Sequence, residues 1–142
     1  MSIPEIIVPV HVTALIFSVV GIFLADHQAF NWVLGKTPIL DKKILLKYHH
    51  WVLLGLSLMI VTGATLFWPI REYLLHNFAF GIKMFFVAIL VVNSFFIGKL
   101  MNVASEKPYS TLSGRERFPL ILSGALSTIG WLGAFISANF LF

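Results

Sequence analysis

Four stretches of this chain are nearly free of charged residues, and each is long enough to cross a lipid bilayer as a helix. About 20 consecutive apolar residues are needed to span the hydrocarbon core in helical form. The pattern predicts helices over residues 6–34, 44–68, 76–101 and 117–141. No alternation of period two competes with it, and a closed β-barrel needs more strands than 142 residues allow. We therefore expect an all-α membrane protein in which residues 1–142 form one transmembrane domain.

The composition supports this class and limits the chemistry. Of the 142 residues, 58% are apolar and 11% are charged, and the mean hydropathy is +0.92. Soluble domains are about one-quarter charged, so this chain has too little polar surface to be one. It contains no cysteine, which excludes disulfides and thiolate metal sites. No nucleic-acid motif is visible, and the first stretch lacks the basic region of a cleaved signal peptide, so it is expected to be a retained span.

The connections between the predicted helices are short, so neighbouring helices are expected to run antiparallel. Basic residues are concentrated in the first and third connections and their flanks: Lys36, Lys42, Lys43, Lys47, Lys99, Lys107, Arg115 and Arg117. The opposite face carries only Arg71 and Lys83. By the positive-inside rule the basic connections lie in the cytoplasm. The sequence thus predicts an antiparallel up-down membrane four-helix bundle in the inner (cytoplasmic) membrane, with both termini outside.

Small residues recur at spacings of three and four in the first and last predicted helices. Such stripes allow transmembrane backbones to approach closely. In the first helix the stripe is His11, Ala14, Ser18, Gly21 and Ala25. In the fourth helix it is Ser123, Ser127, Gly130, Ala134 and Ser137. Helix packing is the favoured interpretation for both stripes, and a groove for a flat macrocycle stays open as the alternative for the first, because His11 heads it.

Ionisable residues within the predicted spans are costly there and by default mark a functional site. Because neighbouring helices are expected to be antiparallel, His11 and Lys83 are expected at similar depth in the outer leaflet. Met84 and His76 are at a depth where they could also approach His11. A neutral imidazole is a good haem ligand, which makes His11 a candidate metal ligand. The alternative for Lys83 is that its ammonium group reaches the outer headgroups while its stem stays in the bilayer.

A second group of histidines is predicted in the inner leaflet. His27 lies near the inner end of the first helix, and His49 and His50 lie near the start of the second. His27 with His49 or His50 has a suitable depth for bis-histidine ligation of a haem. His49 and His50 point about 100° apart, so at most one can face a given ligand, and which one does is left open. Histidines near helix ends can also simply form hydrogen bonds at the membrane interface.

Three short motifs resemble one family. His11 is followed, after nine residues, by Gly21-Ile22-Phe23, which resembles the first helix of the HemJ-type membrane protoporphyrinogen oxidases and their copper-resistance-D-like relatives. Gly81-Ile82-Lys83-Met84 is similar to the lysine-bearing start of that family's third helix, and Glu116-Arg117-Phe118-Pro119 is similar to its Asn-Glu-x-Pro motif. The resemblance implies a haem b bound through His11, and a lysine, Lys83, that is essential for oxidising protoporphyrinogen.

Three functions are compatible with these features. The first is a haem-binding redox enzyme that acts on a porphyrinogen or a quinone-linked donor, with Lys83 as its catalytic cation. The second is a b-type electron carrier that uses His27 and His49 or His50. The third is an accessory subunit of a membrane complex without a cofactor. The expected cofactor is haem b, and the expected partners are the lipid bilayer, a porphyrin or quinone, and copies or subunits of a membrane assembly, with no nucleic acid.

Overall fold

The computed structural model describes residues 2–141, and all regular structure in this range is helical. The α-helices in it, in chain order, are α1 (Ile3–Val33), α2 (Lys42–Phe67), α3 (Arg71–Leu75), α4 (Phe78–Glu106) and α5 (Gly114–Ala138). Short turns of 3-10 helix, Trp68–Ile70 and Tyr109–Thr111, precede α3 and α5. No strand occurs between residues 2 and 141, so the all-α prediction is confirmed.

Four helical segments of the described chain are long and apolar enough to cross a membrane. They are α1, Lys42–Leu75, α4 and α5. The 31 residues of α1 exceed what a hydrocarbon core of about 30 Å requires at about 1.5 Å per residue. Large apolar side chains are exposed along these helices, such as Phe23 at 71% and Phe95 at 74%, as lipid contact requires. The prediction of a multi-pass membrane protein is confirmed in this sense, and the direction of crossing stays a prediction.

Polar caps explain why α2 and α5 begin before the predicted positions; α1 also begins early, at 3 rather than 6, and α4 begins late, at 78 rather than 76. α2 begins at 42 rather than 44 because the carboxylate of Asp41 accepts the backbone N–H of Lys43 at 2.8 Å. α5 begins at 114 rather than 117 because Ser113 and Glu116 form a capping box, in which the Glu116 carboxylate accepts the Ser113 N–H at 2.9 Å. A pattern of apolar residues detects neither start, since the capping residues are polar.

The other boundaries also follow local chemistry. α4 continues to 106 rather than 101, because the next residue that stops a helix is Pro108. The connection expected between 68 and 76 is mostly helical, since it consists of a 3-10 turn and α3 before the turn at His76 and Asn77. α1 ends at 33 and α5 at 138, one and three residues before the predicted ends at 34 and 141.

The chain forms two compact units. The first comprises the residues up to Ile70 together with Ala104–Ser110. The second comprises Arg71–Val103 together with the residues from Thr111 onward. The first unit therefore contains α1 and α2, and the second contains α3, most of α4, and α5.

In the first unit α1 and α2 are antiparallel and approach very closely. The side chain of Ser18 is fully buried, at 0% exposure, against Gly55, where an added Cβ would overlap the Ser18 hydroxyl. A Cβ at Gly21 would lie 3.1 Å from both Trp51 and Val52. Glycine at these two positions therefore permits the close approach of the backbones, as small residues do between transmembrane helices.

The end of α1 and the connection after it are hydrogen-bonded to the last turn of α4 and the residue that follows it. The backbone N–H of Leu40 donates to the carbonyl of Ala104 at 2.9 Å. The indole N–H of Trp32, which is 3% exposed, donates to the carbonyl of Lys107 at 3.0 Å. The Trp32 ring also meets Tyr109 edge to face, with centroids 5.2 Å apart. These contacts hold the connection in one arrangement within the first unit.

In the second unit α4 and α5 are antiparallel and share a buried polar pair. The amide of Asn93 donates to the carbonyl of Ser123 at 3.0 Å, and the hydroxyl of Ser123 donates back to the Asn93 side-chain oxygen at 2.8 Å. Two turns further along α5, Gly130 lies against Leu90. A Cβ added at Gly130 would come within 2.7 Å of the Leu90 side chain. The expected packing role of the last-helix stripe is confirmed at Ser123 and Gly130.

Candidate functional site

The imidazole of His11 is held by a hydrogen bond between α1 and α2. Its Nδ1 lies 2.7 Å from the hydroxyl oxygen of Thr62. The Thr62 hydroxyl has one proton, and when it donates that proton to the carbonyl of Leu58 at 2.6 Å it accepts a hydrogen bond from Nδ1–H of His11. In that arrangement the lone pair of the neutral ring lies on Nε2.

The ring of His11 also rests against the backbone of α2. A Cβ at Gly63 would lie 3.5 Å from Cε1 of His11, which is ordinary van der Waals contact. Thr62, the hydrogen-bond partner, is 6% exposed, and His11 itself is half-buried. Packing and hydrogen bonding together fix the position of the ring. With Nδ1 protonated, the imidazole can coordinate a metal or accept a hydrogen bond through Nε2.

Lys83 lies in the second unit, half-buried on α4. It precedes Phe86 by three residues and Leu90 by seven, so it continues the face of α4 that packs against α5. Extending the antiparallel register places Lys83 at about the level of the last turn of α5. His11 belongs to the first unit, and the predicted pairing of His11 with Lys83 stays a prediction.

His27 lies on the side of α1 that faces away from α2. It follows Ser18 by nine residues, or about two and a half turns, which turns its side chain to the opposite face. Its side chain is exposed, and its Nε2 lies 3.3 Å from the amide nitrogen of Asn31. The structure therefore gives His27 a local partner one turn further along α1.

The side chains of His49 and His50 also point away from the surface where α1 and α2 pack together. They precede Gly55 by six and five residues, which turns them about 120° and 140° away from the face that meets α1. His49 is half-buried and His50 is exposed, with ring centroids 6.2 Å apart. Among residues 2–141 no group of three or more histidine or carboxylate side chains is arranged to hold a metal ion. Haem ligation by His27 with His49 or His50 stays a prediction.

The small-residue stripe of α1 is largely filled by α2. Ala14 and Ser18 are buried at 5% and 0% exposure, and Gly21 is buried against Trp51. Packing is therefore confirmed along this part of the stripe, which leaves no groove there for a macrocycle. His11 lies at the end of the stripe nearer the N-terminus, where the contact between α1 and α2 becomes polar through Thr62.

The residues of α2 that position His11 could not be identified from the sequence around His11. Thr62 is 51 positions away from His11, and nothing near His11 in the sequence points to it. A signal was nevertheless present, because Gly55, Thr62 and Gly63 are small residues at a spacing of seven and eight within an apolar helix. The spacing rule applied to α1 would have identified this face of α2 as its partner.

No protein-family model, curated protein or solved structure matches the chain. The resemblance to the HemJ-type oxidases therefore stays a prediction.

Proposed function

We propose that the chain is a membrane redox protein that binds haem b through His11 and oxidises a porphyrinogen with the help of Lys83. The observation that carries this proposal is the 2.7 Å hydrogen bond between Nδ1 of His11 and the Thr62 hydroxyl. Histidines that bind a metal almost always donate their other ring N–H to an acceptor, usually a carboxylate, a backbone carbonyl or a water, and the Thr62 hydroxyl is positioned to take this role. Among ligand types, a histidine of this form is well suited to haem iron.

The donor chemistry of the chain fits haem b. A chain without cysteine offers no thiolate, so histidine is the natural axial ligand, and His11 would present Nε2 to the iron. Bound haem would supply one-electron chemistry. Thr62 would accept a hydrogen bond from Nδ1–H of His11. Lys83 would bind a carboxylate of the substrate through its ammonium group, while its stem lies along the apolar face of α4.

The visible spectrum of the detergent-purified protein tests the proposal. We expect a Soret band together with α and β bands that sharpen on reduction with dithionite. His11→Ala should abolish these bands, whereas His50→Ala should leave them. A colourless but fully helical preparation, after expression with ample haem supply, would overturn haem binding. Loss of the bands with His50→Ala alone would instead favour the inner histidines as ligands.

Thr62→Val separates a positioning role from mere packing. Valine has nearly the same shape but cannot accept a hydrogen bond from Nδ1–H of His11. Loss of such a partner weakens metal binding by about 10- to 100-fold, so we expect faster haem loss and a shifted reduction potential, with helicity unchanged. Thr65→Val, in the same helix but bonded only to Val61 O at 3.0 Å, is the matched control. Equal haem loss in both variants would remove the support that Thr62 gives.

We further propose that both termini face the outside of the cytoplasmic membrane. The chain has no native cysteine, so single cysteines report topology directly. In intact cells a membrane-impermeant maleimide should label Ser2→Cys and should not label Ser110→Cys, which lies beside the basic segment. The reverse labelling pattern would contradict this orientation.

A further inference from the structure

Every basic residue of the first unit lies at one end of it. Lys36 follows α1, Lys42, Lys43 and Lys47 lie in the first two turns of α2, and Lys107 follows α4. No lysine or arginine occurs in residues 2–35 or 48–70. All five side chains are exposed. We call these residues the lysine cluster.

The lysine cluster is carried by an ordered part of the fold. Leu40 and Ala104 are joined by a backbone hydrogen bond, and Trp32 donates to the carbonyl of Lys107 itself. The ring of Tyr109 packs against Trp32. These contacts place Lys107 in the same unit as Lys36, which follows α1, and the three lysines at the start of α2. The positive charges are therefore held in a defined region instead of being spread along a free loop.

Few negative charges offset the lysine cluster. Within 36–47 and 104–110 the carboxylates are Asp41 and Glu106. Asp41 uses its carboxylate to cap α2 by accepting the N–H of Lys43. The first turn of α2 contains no acidic residue and two lysines, although the N-terminal end of a helix dipole is already positive. The arrangement leaves a positive potential that an anion would relieve.

We propose that the lysine cluster binds the headgroups of anionic phospholipids. The five lysines adjoin the ends of three candidate spans, the level at which headgroup phosphates lie. Trp32 and Tyr109 beside them are residue types enriched at that level. A lysine near an anionic membrane surface strengthens binding by about fivefold, and the cytoplasmic leaflet is the anionic one. This inference is independent of haem and of His11, and it rests on the proposed orientation, which places the lysine cluster on the cytoplasmic side.

Thermal unfolding in detergent tests the proposal directly. Phosphatidylglycerol, added to the micelles, should raise the unfolding midpoint in a concentration-dependent way, because a ligand of the folded state stabilises it. Phosphatidylcholine should not. The double variant Lys42→Gln with Lys43→Gln should need about 25-fold more phosphatidylglycerol for the same rise in the unfolding midpoint, at about fivefold per lysine. The matched control, Lys99→Gln with Arg115→Gln, removes the same charge from the second unit and should respond as the unaltered protein does.

Several outcomes would overturn the proposal. Equal stabilisation by the two lipids would show that headgroup charge is irrelevant, and equal weakening in the control would show that general surface charge is responsible. The same rise with inorganic phosphate would identify a soluble anion, and the same rise with polyglutamate would identify an acidic protein partner. If the double variant unfolds before lipid is added, Lys36→Gln, in the exposed connection, repeats the measurement with an expected change of about fivefold.

Discussion

Replacing Gly55 by alanine would force α1 and α2 apart. The new Cβ would overlap the hydroxyl of Ser18 and lie 3.1 Å from Cβ of Ser18 and 3.4 Å from the backbone oxygen of Ala14. The Ser18 hydroxyl is bonded to that same oxygen at 2.8 Å and is fully buried, so it cannot move aside freely. Overpacking costs about 1–3 kcal/mol, against which alanine gains about 0.5–1 kcal/mol in helix propensity. We expect a net loss of about 1–2 kcal/mol in the free energy of unfolding.

The assay is reversible unfolding by sodium dodecyl sulfate in mixed micelles, followed by circular dichroism. Gly98→Ala is the control, because a Cβ there meets nothing within 4 Å, and it should be neutral or slightly stabilising. Combining Gly55→Ala with Ser18→Gly should recover most of the lost stability, because removing the Ser18 side chain makes room for the new methyl group on α2. If Gly55→Ala proves as stable as Gly98→Ala, the close approach of α1 and α2 is wrong.

Two further changes test the polar contacts of each unit. Asn93→Leu removes both hydrogen bonds to Ser123 and should lower the free energy of unfolding by about 1 kcal/mol in the same titration. The reason is that interhelical hydrogen bonds in membranes contribute about 0.6–1.7 kcal/mol. An increase in stability would contradict this role. Trp32→Phe removes the N–H that donates to Lys107 and should speed amide hydrogen exchange in residues 34–41 by about fivefold. That factor corresponds to the loss of a hydrogen bond that contributes about 1 kcal/mol. Unchanged exchange in these residues would contradict the role of this bond.

The fold class could be predicted from the sequence because it depends on the number and length of apolar runs. The same information cannot locate helix ends, since these depend on single polar side chains such as Asp41 and Ser113. The helical turn of α3 was missed for a related reason. Pro69 indicates a break in the apolar pattern, but a proline is tolerated in the first turn of a helical segment.

The candidate site was only partly accessible to sequence reasoning. His11 was identifiable because a histidine inside a span is rare and costly. Its partner Thr62 was not, because that contact depends on the register between two helices, which is set by where Ser18 meets Gly55. The orientation of His27 away from α2 likewise follows from which face of α1 is buried, and a depth estimate alone does not supply this.

The hydrogen bonds that hold the connection after α1 join parts of the chain that are synthesised far apart in time. Trp32 donates to the backbone of Lys107, 75 positions later, whereas His11 and Thr62 are 51 positions apart. During translation α1 and α2 can therefore pair as a hairpin while Trp32 and Leu40 still lack their partners. The first hairpin would enter the membrane with an open connection, which closes only when the end of α4 leaves the ribosome. Assembly of the first unit would thus be completed by a segment that is made between the two halves of the second unit.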